Sequence, residues 1–418
     1  RNHLRSCMRH LDFVSCPADP DVWMRPAKRS DGTDYYEYIL LYTDDALVLS
    51  ENAEKVLRTD LGRYFTLKEE SIGPPKIYLG GSVRKVQLDN GVECWAYSSS
   101  QYVRAAVKNV EEYLSTRDDE RWRLPAKAET PLQTSYRPEL DVTPELGPSD
   151  AAYYQSLVGM LRWIVELGRV DICLECSMMS SHLALPREGH LYQLFQMFAY
   201  LKKYHNTEMV FDPSDPVVDE SSFELRDWTS SEFGHIQGKE ELPPNMPEPR
   251  GMGFTMRAKV DADHAADTVT RRSRTGFVIY LNCAPIYWSS KKQTSVESSS
   301  FGSEFVAMKH CCEYLRGLRY KLRMMGIPCE GPAYILGDNQ SVLANTTVPD
   351  STLKKKSQSI CYHYVREGAA RDEWRTSYVN THSNEADLLT KLLPSGDKRK
   401  GFVRNLLHHI FQPAAQAA

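Results

Sequence analysis

The chain has 418 residues, of which 41% are hydrophobic and 25% charged, and a formal net charge of −4. That length exceeds any single small core and suits two or three domains. The slight negative charge argues against a surface devoted as a whole to nucleic acid, so any basic groove must be local. Ten cysteines show no disulfide framework; Cys173 and Cys176 alone have metal-like spacing, and in their apolar helical setting they read as helix packing. No signal peptide and no run of about 18 apolar residues is present, so nothing argues for secretion or a membrane. The first residue is Arg1 rather than Met, which suggests a fragment or a processed product.

Residues 1–26 read as a helix and a loop, followed by two strands around the turn Ser30-Asp-Gly-Thr33. The second strand runs through Tyr36–Ser50, with the adjacent Asp44 and Asp45 in its middle. An apolar run this continuous needs a buried hairpin, and the two acids then sit at its tip. A helix capped by Ser50 runs to Phe65, and strands follow around Tyr78–Val83 and Val92–Tyr97. Ser98–Ser100 open a helix with Val103, Val107, Val110 and Leu114 on one face. Residues 116–148 are charged and then proline-bearing, and read as a loop. Three helices are expected over Tyr153–Leu167, Val170–Leu183 and Glu188–Tyr204; the aromatic stripe Tyr192, Phe195 and Phe198 is core by its spacing. Residues 205–250, rich in Pro, Asp, Glu and Gly, are expected to form a partly disordered linker.

Beyond it, Arg257–Asp267 reads as a strand that ends by presenting Asp261. Two strand-like runs, Arg272–Leu281 and Ala284–Ser290, complete a three-stranded meander. Ser299 or Ser300 caps a helix carrying Glu304 in its first turn, one residue off the apolar stripe of Phe305, Met308, Cys312, Leu315 and Leu322. Ala333–Gly337 is a short buried strand with Asp338 at its end, where ligands of α/β sheets gather. Arg375–Val379 is a further strand, and Glu385–Leu393 opens a helix with Asp387 in its first turn. Four carboxylates brought together need cations between them. Hard divalent ions take oxygen ligands, and a pair about 4 Å apart can hold the attacking and leaving oxygens of a phosphodiester cleavage.

Val260-Asp-Ala-Asp-His-Ala-Ala-Asp267, Arg274-Thr-Gly-Phe-Val278, Trp288-Ser-Ser-Lys-Lys-Gln293, Gly337-Asp-Asn-Gln-Ser341, Tyr362-His-Tyr-Val-Arg-Glu367 and Ala386-Asp-Leu-Leu-Thr-Lys391 together resemble the ribonuclease H domain of copia-type long-terminal-repeat retrotransposon polyproteins. The resemblance implies a ribonuclease H fold and carries the family's Asp-Glu-Asp-Asp set onto Asp261, Glu304, Asp338 and Asp387. Phe301 and Gly302 depart from the family's usual Thr and Glu, as do Ser357–Ser359 from a frequent His-Ile-Asp. Upstream, Tyr42-Thr-Asp-Asp45 resembles the Tyr-x-Asp-Asp hairpin of a reverse transcriptase palm, which would make Asp44 a metal ligand and Asp45 its partner. Tyr154–Leu161, Arg169–Asp171 and Ala199–Lys203 match the pattern of a thumb or connection layer.

The fold expected is therefore α/β and α+β multidomain: a partial palm over 1–115, a helical thumb or connection over 116–205, a linker over 206–250, a ribonuclease H fold with a mixed five-stranded sheet flanked by helices over 251–395, and a C-terminal helix and tail over 396–418. The function implied is metal-dependent cleavage of RNA in RNA–DNA hybrids, with two Mg²⁺ ions or Mn²⁺ in their place; the alternative is a nucleic-acid-binding module or an inactive remnant. Expected partners are the hybrid, a primer–template duplex and the rest of the polyprotein, and the expected location is intracellular, in a cytoplasmic virus-like particle or the nucleus. The palm carboxylate that would oppose Asp44 and Asp45 cannot be assigned and is expected upstream, so this chain alone is expected not to synthesise DNA. Five further residues admit two readings each. Asn339 and Gln340 either contact the hybrid's minor groove or cap the next helix; Lys291 and Lys292 either meet phosphates or are solvated. His382 is either a proton shuttle and product-release group or an exposed loop histidine.

Overall fold

The computed structural model describes residues 2–412 apart from 44, 118–121 and 354–355, with the backbone alone at 2 and 356. The chain divides into two compact units: residues 1–76, 239–254 and 313–331 form one, and residues 77–238, 255–312 and 332–418 the other. These limits differ from the boundaries expected at 115, 205 and 250.

In the first unit β1 (Val14–Cys16), β2 (Asp19–Lys28), β3 (Asp34–Tyr42) and β4 (Asp45–Leu49) form an antiparallel sheet in that order. β1 and β2 occupy the place of the expected loop. Prolines at 17, 20 and 26 hid them, and Pro26 is tolerated because β1 pairs with β2 only as far as Met24, so no β1 acceptor waits for its missing N–H. The expected turn holds, with Gly32 at φ +88° and the Asp31 carboxylate accepting from Thr33 N at 2.8 Å. The helix Asn2–His10 buries Met8 against Phe13, Trp23 and Ile39. The helix expected over 50–65 is broken into Ala53–Lys55, a wide turn Val56–Asp60 and a tight turn Leu61–Arg63 that contains Gly62.

The expected linker is built structure in both units. In the first, Glu240 accepts from Arg319 Nε and Nη2 at 2.8 Å each and also pairs with Arg323. Burial would raise the Glu240 carboxyl, but these two guanidinium groups outweigh it and bring it down to about 2. In the second, Phe223 and Trp228 are buried, Phe223 edge-on to Tyr334 and Trp228 beneath the Arg366 guanidinium. These two aromatic anchors bury apolar area that offsets part of the entropy of ordering this polar segment.

The second unit opens with the antiparallel sheet β5 (Ile77–Tyr78), β6 (Gly81–Gln87), β7 (Glu93–Ser98) and β8 (Met209–Phe211). Between β7 and β8 lie the helices Ser100–Ser115, Pro148–Glu166, Cys173–Met179 and Glu188–Lys203. A second sheet follows, made of β9 (Met256–Ala262), β10 (Arg274–Leu281), β11 (Ala284–Lys292), β12 (Ala333–Gly337) and β13 (Trp374–Tyr378), in the order β11-β10-β9-β12-β13. β9 to β11 are an antiparallel meander, and β12 runs parallel to both β9 and β13. This is the mixed five-stranded sheet that the sequence motifs imply. It is flanked by helices Ser300–Met324, Gln340–Thr347, Ser359–Ala370 and Asp397–Leu406. No helix among the described residues is long and apolar enough to cross a membrane.

One core joins the helices of 100–203 to this sheet. Leu157, Leu161, Leu194 and Phe198 share it with Val278 and Tyr280 of β10, with Leu388 and Leu389, and with Phe402, Val403 and Leu406 of the last helix. The helical layer and the second sheet therefore fold as one body. Cys173 and Cys176 lie in the same core, buried and free, with burial pushing both thiols upward.

Glu175 is buried beside them, and burial raises its carboxyl to about 7 although Arg399 opposes the shift. The folded state thus holds a proton that the unfolded chain releases between about pH 4.5 and 7, so this residue's contribution to stability falls as pH rises through that window. Glu175→Gln is expected to flatten the dependence and to raise stability at pH 8 by on the order of 2 kcal/mol, read from urea unfolding at pH 5 and pH 8; equal gains at both would contradict it.

Candidate metal centre

Asp261 lies at the end of the central strand β9, opposite Gly276 of β10, and is fully buried. β12 runs parallel to β9 and ends at Gly337, so Asp338 emerges at the same edge of the sheet. Glu304, the fifth residue of helix Ser300–Met324 and so just past the expected first turn, reaches that edge. Asp261, Glu304 and Asp338 each offer one carboxylate oxygen, and these atoms lie within 4.8 Å of one another.

Gly276 explains a sequence motif. A Cβ there would come within 2.7 Å of both Leu389 Cβ and Thr390 Cγ2, so only glycine lets the segment after β13 lie directly on β10. That segment is the tight turn Glu385–Leu389 rather than the expected α-helix. Asn384 ties it to β9 by donating to Val260 O at 3.0 Å. Thr390 Oγ1 donates to Asp261. Asp387 is fully buried, and its two oxygens are held by two ammonium groups: Lys391 Nζ donates to Oδ1 at 2.6 Å and Lys398 Nζ to Oδ2. Lys391 also reaches Asp261 at 3.2 Å. The structure thus brings three of the four expected carboxylates within mutual ligand reach and sets the fourth beside them on two lysines.

Burial pushes the Asp261 carboxyl up; Lys391 opposes this, and Asp387 and Asp338 add to it. Glu304 is pushed up by burial and by the charges of Asp261 and Asp338. Burial works against the Lys391 ammonium, but Asp261 and Asp387 more than offset it. Such a cluster asks for positive charge. Asp263, two residues on along the chain from Asp261, is also buried and raised by that burial to about 6, while Arg274 N donates to it.

The remaining expected residues are placed as follows. Asn339 caps helix Gln340–Thr347, its side chain accepting from Val342 N at 3.1 Å, so of its two readings the structure has the cap. Gln340 is the exposed first residue of that helix. Lys291 is exposed, whereas Lys292 is half-buried and paired with Asp267 at 2.5 Å. His382 is exposed in the tight turn Thr381–Ser383, next to Thr381, whose hydroxyl donates to Asp338 at 2.8 Å. Asp45 is exposed and pairs with Tyr42 across the β3–β4 hairpin, where Thr43 has φ +53°. Asp44 lies outside the described residues.

Sequence reasoning passed over Thr381, Asn384, Thr390, Lys391 and Lys398 as parts of the site. The signal for two of them was present in Ala386-Asp-Leu-Leu-Thr-Lys391, where a hydroxyl and an ammonium follow the acid at three and four residues.

No family model matches the chain. The Retrovirus-related Pol polyprotein from transposon RE2 of Arabidopsis thaliana is 24% identical over 93% of this chain and 23% of its own length. That from transposon TNT 1-94 of Nicotiana tabacum is 22% identical over 93% of this chain and 25% of its own. The chain spans about a quarter of these relatives. A solved RNase H1 from the halophilic archaeon Halobacterium salinarum NRC-1 aligns with 32% of this chain and 94% of that one, at 16% identity and a TM-score of 0.26. Over nearly its whole length this chain is a homologue of copia-type retrotransposon Pol polyproteins.

Proposed function

We propose that the chain is a reverse transcriptase/ribonuclease H piece of such a polyprotein, and that its second unit is a metal-dependent nuclease cutting the RNA strand of an RNA–DNA hybrid. The observation that carries this reading is the meeting of Asp261, Glu304 and Asp338 at one sheet edge. The donor set fits Mg²⁺ or Mn²⁺: all three ligands are hard oxygens, and burial has already raised the two most enclosed acids, so a cation there relieves a charge that water cannot. A divalent ion in such a site supplies an activated water and stabilises charge on the scissile phosphate.

The chain's own residues fix the acids. Thr381 orients Asp338, Thr390 and Lys391 orient Asp261, and the Ala262 backbone bonds Glu304. Gln340 and Lys291, both exposed, are the groups we assign to the 2′-hydroxyls and phosphates of the hybrid. We read the β3–β4 hairpin of the first unit as part of a polymerase palm and the helices of 100–203 as its thumb or connection. Cleavage of a labelled hybrid in Mg²⁺, with none in chelator and none of the matching DNA duplex, is the expected result. Equal cutting of both duplexes, or cutting in chelator, would overturn the reading.

His382 takes the role of product release in this scheme, because its turn carries the hydroxyl that holds Asp338. His382→Ala should lower steady-state turnover by about three- to tenfold while single-turnover cleavage is kept. Unchanged steady-state rates between about pH 6 and 8 would retire the role.

A further inference from the structure

Asp387 and Asp261 are both fully buried, so neither carboxylate can turn to bulk water, and positive charge must be brought to them. Lys391 and Lys398 bring it. The bond from Lys391 N to Asp387 O at 3.0 Å closes the turn and sets the lysine over the aspartate, while Lys398 enters from the first turn of the last helix. Between them the two ammonium groups take both oxygens of Asp387, and Lys391 leans on Asp261 as well. A divalent ion drawing an oxygen from Asp387 meets an ammonium group already on that oxygen and is repelled by it. The side chains can move: Lys391 is 39% and Lys398 32% exposed, so each head group has a path to solvent without opening the core.

We propose that Lys391, assisted by Lys398, is a positioning residue that competes with a divalent ion for the Asp387 side of the site. One ion is then held by Asp261, Glu304 and Asp338, and a second binds only as the ammonium swings away. The inference rests on the metal-nuclease reading and says which residue sets the order of metal binding. Like charges at contact distance repel, so removing Lys391 strengthens the weaker of the two sites and leaves the acids short of positive charge when metal is withheld. A lysine that only braces the fold would lower stability and leave metal affinity alone.

The test is calorimetric titration of the full chain with Mn²⁺, for the unaltered protein, Lys391→Met, Lys391→Arg and Lys398→Met. The weaker Mn²⁺ dissociation constant is expected to improve at least about tenfold in Lys391→Met and by less in Lys398→Met, and to stay near the unaltered value in Lys391→Arg. Melting temperature without metal should fall in Lys391→Met, and saturating Mn²⁺ should raise it by more than in the unaltered chain. If Lys391→Met does not fold, Lys398→Met carries the comparison. A normal first site with the second unchanged within twofold in both methionine variants would overturn the role of Lys391 and leave the nuclease reading standing. No Mn²⁺ bound by the unaltered chain would overturn the metal reading and this inference with it.

Discussion

Asp338→Asn should lower cleavage of the RNA strand by about 10³-fold or more while hybrid binding stays within a few-fold. The substitution keeps the shape of the side chain and its capacity to accept from Thr381 Oγ1, now held at 2.8 Å. It removes one of the three charges whose oxygens lie within 4.8 Å. Asp338 is only half-buried at the strand end, so the amide meets no desolvation penalty and the fold should melt as before. The measurement is single-turnover cleavage in Mg²⁺ beside a binding isotherm in Ca²⁺. A variant that cleaves within tenfold of the unaltered chain would remove Asp338 from the reacting set. A variant that has lost binding as well would show that it acts by holding the substrate. Because the reading gives Asp261 and Glu304 the same task, their amide variants should not add to the loss when combined with this one.

The site was legible in the sequence to the degree that local pattern decides it. Asp261 and Asp338 could be placed because each follows a short apolar run that must be a buried strand, and Glu304 because a helix cap and an apolar stripe fix its turn. Asp387 was expected in the first turn of a helix and lies instead in a tight turn on two lysines; that Lys398 reaches it depends on how the last helix docks, which no local pattern encodes. Residues 206–250 were misread for a related reason. Polar composition and missing periodicity describe how a segment would behave alone, and Phe223 and Trp228 find their pockets against Tyr334 and Arg366, more than a hundred residues away. The joining of the helices of 100–203 to β10 and the last helix was likewise hidden, since the faces of Phe198 and Val278 are apolar whether they meet each other or not. Tertiary pairing decides such matters, and one sequence records only that a partner is needed.

Asp171→Ala is expected to destabilise the second unit by about 3–5 kcal/mol, the range for breaking one partner of a buried ion pair. Arg169 lies at zero exposure and donates to Asp171 at 2.7 and 2.8 Å. Tyr200 donates to the same carboxylate at 2.9 Å, and Arg399, from the last helix, donates to Asp171 O at 2.9 Å and to Tyr200 Oη at 3.2 Å. Removing the carboxylate takes its counter-charge from the buried Arg169 guanidinium and leaves Arg399 to the Glu175 carboxyl, while one Nη of Arg169 already lacks a partner. Burial would raise the Asp171 carboxyl, but the charges of Arg169 and Arg399 and the hydrogen bonds from Arg169 and Tyr200 more than reverse that and hold it below the ordinary value. Its stabilisation is therefore complete above the unfolded pKa near 4 and is lost as pH falls toward the lower folded value. The deficit of the variant should accordingly be full at pH 7 and shrink below about pH 4. Urea unfolding followed by tryptophan fluorescence reads both effects. A change under about 0.5 kcal/mol at pH 7 would mean that the network specifies how the last helix docks without holding the unit together. In that case hydrogen exchange in helix Asp397–Leu406 should still rise in the variant, because Arg399 is its buried tie to the helical layer.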